Sequence, residues 1–372
     1  MKATLSLTHN CNLSCRYCYS GRAFKQDMEI GTAQNVVDFM MDSCPSDRRT
    51  EFSFFGGEPL LRFDLIKEIV SYIYKKDKKT QRTSSISVTS NGTLLDQSML
   101  DYFRAENIDL CISIDGPPQV HNLNRVHKNG QGSFAEVVGN LKMAINFLDA
   151  VQVNAVYGPE TINFLPQSVL FFIELGVPVI HLNPNILANW TESTYPDLSE
   201  AYMQIANNYI QSYQQGREIA VNLIDSKLIL FLKGGYAIED MCGMGETEWG
   251  FAPSGNIYPC ERFIGEDNDL SLCLGNIQTG LDSTRRCTLL RKKGNHNEEC
   301  KSCNLKKYCM NWCGCTNYYL TGHTDLVGPI FCAMEKAGIK AAEHVLVTLS
   351  KLDNELFIDH LKRYLYEGRH YR

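Results

Sequence analysis

No run of about 18 apolar residues interrupts this chain, so it offers no helix able to span a bilayer. The first cysteine stands at position 11, too early for a cleaved secretory signal to precede it, and the expectation is a cytoplasmic protein. Basic residues are not in excess. The 36 Lys and Arg against 42 Asp and Glu give a net charge of -6, which excludes the electrostatic footprint of a nucleic-acid binder or of a protein held to anionic lipid. Cysteine is scarce through the middle, with only Cys44 and Cys111 between residues 19 and 241. At the two ends it is abundant: of 15 cysteines, Cys11, Cys15 and Cys18 open the chain and the stretch from Cys242 to Cys332 holds ten. Clusters like these in a cytosolic chain bind metal more often than they form disulfides, and the odd count leaves at least one unpaired.

The 372 residues correspond to roughly two domains. Apolar β-rich runs lie at Ala3 to Thr8, Glu51 to Phe55, Ser85 to Thr89, Asp109 to Ile114, Val151 to Tyr157 and Pro178 to Leu182, and helical patterns separate them. Thr32 to Met41, Phe63 to Lys75 and Phe164 to Leu175 have helical apolar spacing. Ser133-Phe134-Ala135-Glu136 predicts a capping box opening a helix that runs to about Leu148. Repeated βα units imply a parallel sheet, and six of them predict an α/β fold built as a partial (β/α)6 barrel of the TIM type, with its site at the C-terminal strand ends. The organisation expected is a barrel over 1–215, a helical linker over 216–241, a small cysteine-rich domain over 242–334 and C-terminal helices over 335–372. From Glu335 to about Tyr366 one amphipathic helical face carries Ile339, Ala342, Leu346, Leu349 and Leu356, and the basic end, Arg363 to Arg372, is read as a solvated tail or a peptide dock.

The C-x3-C-x2-C run of Cys11, Cys15 and Cys18 follows the first strand and offers three thiolates to one metal site. A structural zinc or an electron-transfer iron-sulfur cluster takes four. Three ligands therefore leave one coordination position open for chemistry. The bland reading is three small hydrophobes in a core, which Asn12, Ser14 and Arg16 between them argue against. Other strand ends carry Gly56-Gly57-Glu58-Pro59, Ser90-Asn91-Gly92-Thr93 and Ser113-Ile114-Asp115-Gly116-Pro117 ahead of Arg125. Each alone reads as an ordinary turn. Together beside an open metal site they mark a binding face.

These residues give the chain its resemblance to the radical S-adenosylmethionine (SAM) enzymes, carried by Cys11, Cys15 and Cys18 with Tyr17 inside the loop, by Gly56 to Pro59 and by the Ser90 and Ser113 strand ends. The resemblance implies a [4Fe-4S] cluster whose free iron is chelated by SAM, a 5'-deoxyadenosyl radical made by one-electron cleavage, and an electron donor such as flavodoxin or ferredoxin. It further implies that Tyr17, Gly56, Gly57, Glu58, Pro59, Ser90, Asn91, Ser113, Asp115 and Arg125 bind SAM. Glu58 would meet the amino group, Arg125 the carboxylate, and Ser90 and Ser113 the ribose or methionine. The residue-level alternative for Arg125 is a solvent-exposed loop charge.

The later cysteines sharpen the subclass. Cys242 and Cys260 with Gly255 between them, then Cys300, Cys303, Cys309, Cys313 and Cys332, resemble the SPASM extension, which implies two auxiliary iron-sulfur clusters of the [4Fe-4S] type. A pair of zinc sites is the alternative from spacing alone. The resemblance assigns Cys300, Cys303, Cys309 and Cys332 to one cluster and leaves Cys242, Cys260 and Cys313 for the other, one ligand short. The eighth position is open to a substrate thiolate, or filled by Cys273, Cys287, Cys315 or a carboxylate such as Glu246. Glu261, directly after Cys260, stands where sulfatase maturases carry a carboxylate base, and is expected as a catalytic general base, against the plain reading of an exposed Glu.

The function this implies is a peptide- or protein-modifying radical SAM/SPASM maturase that forms a thioether or carbon-carbon crosslink in a ribosomal peptide. Formylglycine formation as in anaerobic sulfatase maturases is the second reading, small-molecule radical chemistry the third, and a non-catalytic iron-sulfur electron carrier or zinc-binding interaction protein the rival outside enzymology. The chain starts at the first strand with no leader-capturing segment ahead of it, so a separate leader-peptide-binding protein joins the expected partners.

Overall fold

A period of two in burial sets the first strands. Phe52 and Phe54 are buried while their neighbours are not, and Ile86 and Val88 repeat the pattern in the next strand. The computed structural model describes residues 1–45, 48–291 and 297–366. In chain order these form β1 (Lys2–Ser6), α1 (Ile30–Ser43), β2 (Glu51–Phe55), α2 (Phe63–Thr80), β3 (Ser85–Ser90), α3 (Gln97–Ala105), β4 (Asp109–Ser113), α4 (Pro118–Asn124) and α5 (Phe134–Phe147). Then come β5 (Val151–Tyr157), α6 (Leu165–Leu175), β6 (Val179–Pro184), α7 (Tyr195–Gln214), β7 (Ala220–Val221) and α8 (Asn222–Lys233). The remainder is β8 (Glu248–Phe251), β9 (Asn256–Tyr258), β10 (Gly275–Asn276), β11 (Gly280–Leu281), α9 (Ser283–Arg291), α10 (Gly314–Thr321), α11 (Pro329–Lys351) and α12 (Glu355–Tyr366). The six predicted strands are β1 to β6. No helix among the described residues is long and apolar enough to cross a membrane.

The chain divides into two compact units. The first comprises Met1–Ile112, Asn124–Leu148 and Cys242–Lys292. Its strands β1 to β4 pair in parallel and in sequence order, with Lys2 opposite Glu51 and Ser87 opposite Asp109. On the other side of β1 lies β8, also parallel, placing Lys2 opposite Glu248, and β9 to β11 continue antiparallel from it. Joining β8 to β1 is a non-local pairing that local periodicity does not reveal. Its apolar residues explain it: Trp249 and Phe251 are buried, and Phe39 of α1 meets both rings edge-on at 6.0 and 6.1 Å. Across α1 and α2, Val36, Val37 and Met40 and then Ile66, Ile69, Val70 and Ile73 recur at helical spacing and are buried.

The second unit comprises Ser113–Leu123, Asp149–Met241 and Lys293–Arg372. Here β5, β6 and β7 run parallel, and α11 packs along α7 and α8. Ala337, Gly338, Ala341 and Ala342 on α11 are small and buried, which lets its backbone come close to the aromatic face of α7. The C-terminal helices are α11 and α12. α11 starts earlier, at Pro329, whose missing N–H is harmless in a first turn. It stops at Lys351, and Asp353 takes a left-handed backbone (φ 47°) before α12 begins. Ile339, Ala342 and Leu349 of the predicted face are buried, and Leu346 and Leu356 half-buried. Of the basic end, Arg363 pairs with Glu218 at 2.5 Å, and residues 367–372 lie outside the described residues.

Candidate active site

The cysteine loop begins where β1 stops pairing. Thr8 Oγ1 donates to Asp27 Oδ1 at 2.5 Å and accepts from the Asn10 N–H at 3.0 Å, turning the chain outward before Cys11. Along its far side the loop runs against residues 124–127. The Ser14 N–H donates to the Val126 carbonyl at 2.7 Å, the Arg16 N–H to the Asn124 carbonyl at 3.0 Å, and Leu13 bridges His127. This register carries Arg125 to the cysteines. Its guanidinium lies over the Tyr17 ring, 5.4 Å from the centroid, and the residue is 6% exposed, so it is not a solvated loop charge.

Ser133 is the device that holds Arg125 there, in place of the predicted capping box. The helix does start at Phe134, but Ser133 makes no side-chain cap; its hydroxyl and N–H both donate back to the Arg125 carbonyl, at 3.0 and 3.3 Å. Glu136 lies 3.4 Å from His127 Nε2 instead of reaching the cap position. The local signal was sound for a helix start. The hydroxyl was claimed by a loop eight residues upstream.

On the near side the glycines of Gly56-Gly57-Glu58 bring β2's end against the same loop. A Cβ at Gly57 would stand 2.2 Å from the Asn10 carbonyl oxygen, and Gly56 has φ +125°. The close approach lets the Gly57 and Glu58 N–H groups donate to the Thr8 and Asn10 carbonyls at 2.8 and 2.9 Å. Glu58 is fully buried. Its Oε1 accepts from the Leu60 N–H at 3.0 Å and the Ser90 hydroxyl at 2.8 Å, and its Oε2 from the Asn91 N–H at 2.7 Å. Burial pushes the carboxyl up to about 6, against those three donors and the Arg125 charge, which pull it down. Two carboxylate oxygens offer about four acceptor positions, so one remains for an external donor. Pro59 is buried at the start of a short 3-10 turn that Glu58 caps.

The β3 end reaches the cysteines directly. Asn91 Nδ2 donates to Asn12 Oδ1 at 2.9 Å and to Cys11 Sγ at 3.8 Å, while Ser90's hydroxyl also accepts from the Gly92 N–H at 2.9 Å. The Ser90 hydroxyl thus spends its proton on Glu58. Ser113 closes β4, and Asp115 Oδ1 accepts from the Val156 N–H at 3.0 Å within the second unit. Both are buried, and Asp115 fastens the start of that unit to β5.

Whether the loop fits an iron-sulfur cluster can be judged from its donors. All 15 cysteines are free of disulfides. The Leu13 N–H, at 3.4 Å, joins Asn91 in donating to Cys11 Sγ, as suits a thiolate. Burial, with the Glu58, Cys15 and Cys18 charges adding, pushes the Cys11 thiol up to about 12, so it ionises only when a cation offsets the charge. Among the described residues no trio of Cys, His, Asp and Glu converges tightly enough for a single ion. A cubane asks for less convergence, because each thiolate takes its own iron. Two buried side-chain nitrogens by the loop, His9 Nε2 and Asn124 Nδ2, have no hydrogen-bond partner, a sign of a site made for a polar guest. Neither was legible in the sequence. The residues fit a three-thiolate cluster with a polar ligand beside it.

The later cysteines sit in short turns. In the first unit the Cys242 thiol donates to Glu248 Oε2 at 3.6 Å and the Cys260 thiol to Glu261 Oε2 at 3.3 Å. Sequence reading passed over Glu248. Gly250 explains how Glu261 packs against β8, since a Cβ there would come within 2.8 Å of the Glu261 backbone. Gly255, at φ +86°, turns β8 into β9, and Cys273 is buried with its thiol on the Gly275 carbonyl while Cys287 is exposed on α9. In the second unit Cys300, Cys303 and Cys309 occupy successive tight turns, Cys313 precedes α10, and Cys332 lies on α11. Cys315 Sγ lies 3.6 Å from Cys313 Sγ, and Asn311 Nδ2 donates to the Lys306 and Cys309 carbonyls at 3.2 and 2.8 Å.

Residues 5–171 match the Radical SAM superfamily. A cysteine-type anaerobic sulfatase-maturating enzyme of Clostridium novyi is 22% identical over 320 residues, 82% of this chain and 85% of its own length. An uncharacterised Methanocaldococcus jannaschii protein is 29% identical over 176 residues, and there the match spans 47% of this chain and 59% of the relative. Among solved structures, anSMEcpe with bound AdoMet aligns with a TM-score of 0.78 at 19% identity, over 94% of this chain and 99% of that one. Streptococcus suis SuiB bound to the precursor peptide SuiA aligns at 0.60 and 16% identity, over 89% and 75%. At these identities the structures show a common α/β fold with a parallel sheet. Residues 5–171, which carry the cysteine loop and the Glu58, Ser90 and Arg125 strand ends, are a Radical SAM domain, and the protein is an enzyme that uses SAM and a [4Fe-4S] cluster.

Proposed function

We propose that the chain is a radical SAM/SPASM maturase that oxidatively modifies a peptide or protein. The carrying observation is the juxtaposition of the three-cysteine loop with a buried carboxylate that keeps one acceptor position and a buried guanidinium that lies over the Tyr17 ring, its main chain held by Ser133. An amino-acid head group presents the matching pair of charges. Cys11, Cys15 and Cys18 would hold the cluster, Glu58 would take the SAM ammonium, and Arg125 would take the carboxylate through its planar fork. Ser90 and Asn91 would serve by aiming Glu58 and Cys11, and the resemblance implies SAM contacts for Ser113 and Asp115 as well. The bound group supplies one-electron cleavage of SAM and a carbon radical able to take a substrate hydrogen atom.

Auxiliary [4Fe-4S] clusters are proposed on the later cysteines, Cys300, Cys303, Cys309 and Cys332 forming one ligand set, with Cys242, Cys260 and Cys313 as further ligands. Glu261, whose carboxylate accepts from the Cys260 thiol at 3.3 Å, would receive a proton as the substrate is oxidised. Crosslinking removes two hydrogens from the peptide and keeps every heavy atom. Formylglycine formation from cysteine removes the sulfur, and the likeness to the Clostridium novyi enzyme keeps that second reading alive. Flavodoxin or ferredoxin would supply the electron, and a separate leader-binding protein would present the peptide.

The test is mass analysis of candidate peptides after anaerobic turnover. Loss of two hydrogens with sulfur retained supports crosslinking, loss of sulfur supports formylglycine, and 5'-deoxyadenosine without any peptide change contradicts the maturase reading. Glu261→Gln is expected to stop peptide conversion while SAM cleavage continues. Conversion retained in that variant refutes the base.

A further inference from the structure

Cys309 lies in a stretch with no long element to fix it, following a 3-10 turn over Lys306–Tyr308. The peptide groups on either side of it are nevertheless pinned by one buried ion pair. Lys227 of α8 and Glu335 of α11 meet at 2.6 Å with side chains 5% and 9% exposed. The Lys227 ammonium donates onward to the Tyr308 carbonyl at 3.1 Å, and Glu335 Oε2 accepts the Met310 N–H. Lys227 Nζ also stands 5.8 Å from the Tyr236 ring centroid, and Tyr236 packs edge-on to Trp312 at 5.0 Å. Every partner belongs to the second unit, and Glu335 is one helical turn after Cys332.

A pair like this needs a reason. Taking two charges out of water costs more than their attraction returns in many proteins, and apolar residues of similar size would serve packing as well. What distinguishes this pair is its address, between two of the four cysteines proposed for one auxiliary cluster. Four thiolates leave a [4Fe-4S] centre net negative, and more so after it takes up an electron. In a buried setting a fixed cation lowers the energy of the reduced form and a fixed anion raises it.

We propose that Lys227 and Glu335 are a positioning pair that holds Cys309 for the auxiliary cluster and sets that cluster's reduction potential. This rests on Cys300, Cys303, Cys309 and Cys332 being its ligands. Lys227 favours the reduced cluster, Glu335 opposes it, and their hydrogen bonds to the Tyr308 carbonyl and the Met310 N–H fix the loop on which Cys309 sits.

The test is a mediated dithionite titration of the full chain, reconstituted anaerobically with iron and sulfide and followed by electron paramagnetic resonance. Cys303→Ala identifies the cluster by the signal it removes. That signal's midpoint is expected to move negative in Lys227→Met and positive in Glu335→Gln, and to stay at the wild-type value in Lys227→Arg. A purely structural pair gives no such opposite signs. Unchanged midpoints, or shifts of one sign, with the Cys303→Ala signal lost overturn the inference and leave the ligand set standing. No signal lost in Cys303→Ala overturns the ligand set and the inference with it. If Lys227→Met does not fold, Glu335→Gln decides, and a midpoint that fails to rise there overturns the proposal.

Discussion

In the first unit the cysteine loop hangs on main-chain groups at strand ends, and the buried Glu58 beside it keeps an acceptor position for something outside the chain. In the second unit the stretch bearing Cys309 is fastened by side chains, and buried charges are consumed in pairs, Lys227 with Glu335 and, elsewhere in the unit, His360 with Asp225. The difference is what separates a site that recruits a ligand from one that is closed on itself. A catalytic pocket must leave polar capacity unspent, and a closed metal site gains rigidity by spending it.

Breaking the second unit's pairs should therefore show first in stability. Lys227→Met strands a buried carboxylate and is expected to cost about 3–5 kcal/mol, whereas Lys227→Met with Glu335→Leu should recover most of it. Paired denaturant titrations check this, and a double variant as unstable as the single would mean that the pair is mere packing. Next comes pH. His360 is 3% exposed, with Nδ1 2.9 Å from Glu218 and Nε2 2.7 Å from Asp225, so both nitrogens donate only when the ring is charged. Burial works against that charge, but bonds to Asp225 and Glu218 and their charges hold the ring up at about 9, with Arg363 on Glu218, Tyr209 and the Val221 N–H on Asp225, and the Tyr213 and Tyr364 rings packed against the imidazole. The folded value lies above the unfolded 6.5. Its contribution, about 3 kcal/mol, is thus complete below pH 6.5 and lost as the pH rises through 9. His360→Gln should flatten that alkaline decline in melting temperature.

The first unit should respond in affinity. Arg125→Lys keeps the charge but loses the fork, and should weaken SAM binding about tenfold, some 1.4 kcal/mol, at nearly unchanged stability. Isothermal titration of the reconstituted protein reads this. A large loss of stability with intact SAM affinity would make Arg125 a structural residue and erase the contrast between the units.

The same contrast explains how much the sequence disclosed. The cysteine spacing, the strands β1 to β6 and the glycines at β2's end were legible because each is a local pattern with a local cause. Arg125's position was not, since it depends on Ser133 turning back from its helix and on the pairing of Leu13 with His127. Nor was the clamp on Cys309, whose two members stand 108 residues apart. β8 beside β1 is a third case, a strand of four residues whose partner was made at the start of the chain. Glu58 shows the subtler limit: its type and place were legible, but the three donors that already hold it were not.

The central claim is that the three-cysteine loop, with Glu58 and Arg125 beside it, makes a SAM-cleaving centre. The direct measurement is 5'-deoxyadenosine formed by the anaerobically reconstituted chain with SAM and dithionite, for wild type and Cys15→Ala. The account predicts 5'-deoxyadenosine from the wild type and none from Cys15→Ala, while the auxiliary iron is retained. No 5'-deoxyadenosine from fully loaded wild type, or undiminished formation in Cys15→Ala, would contradict it.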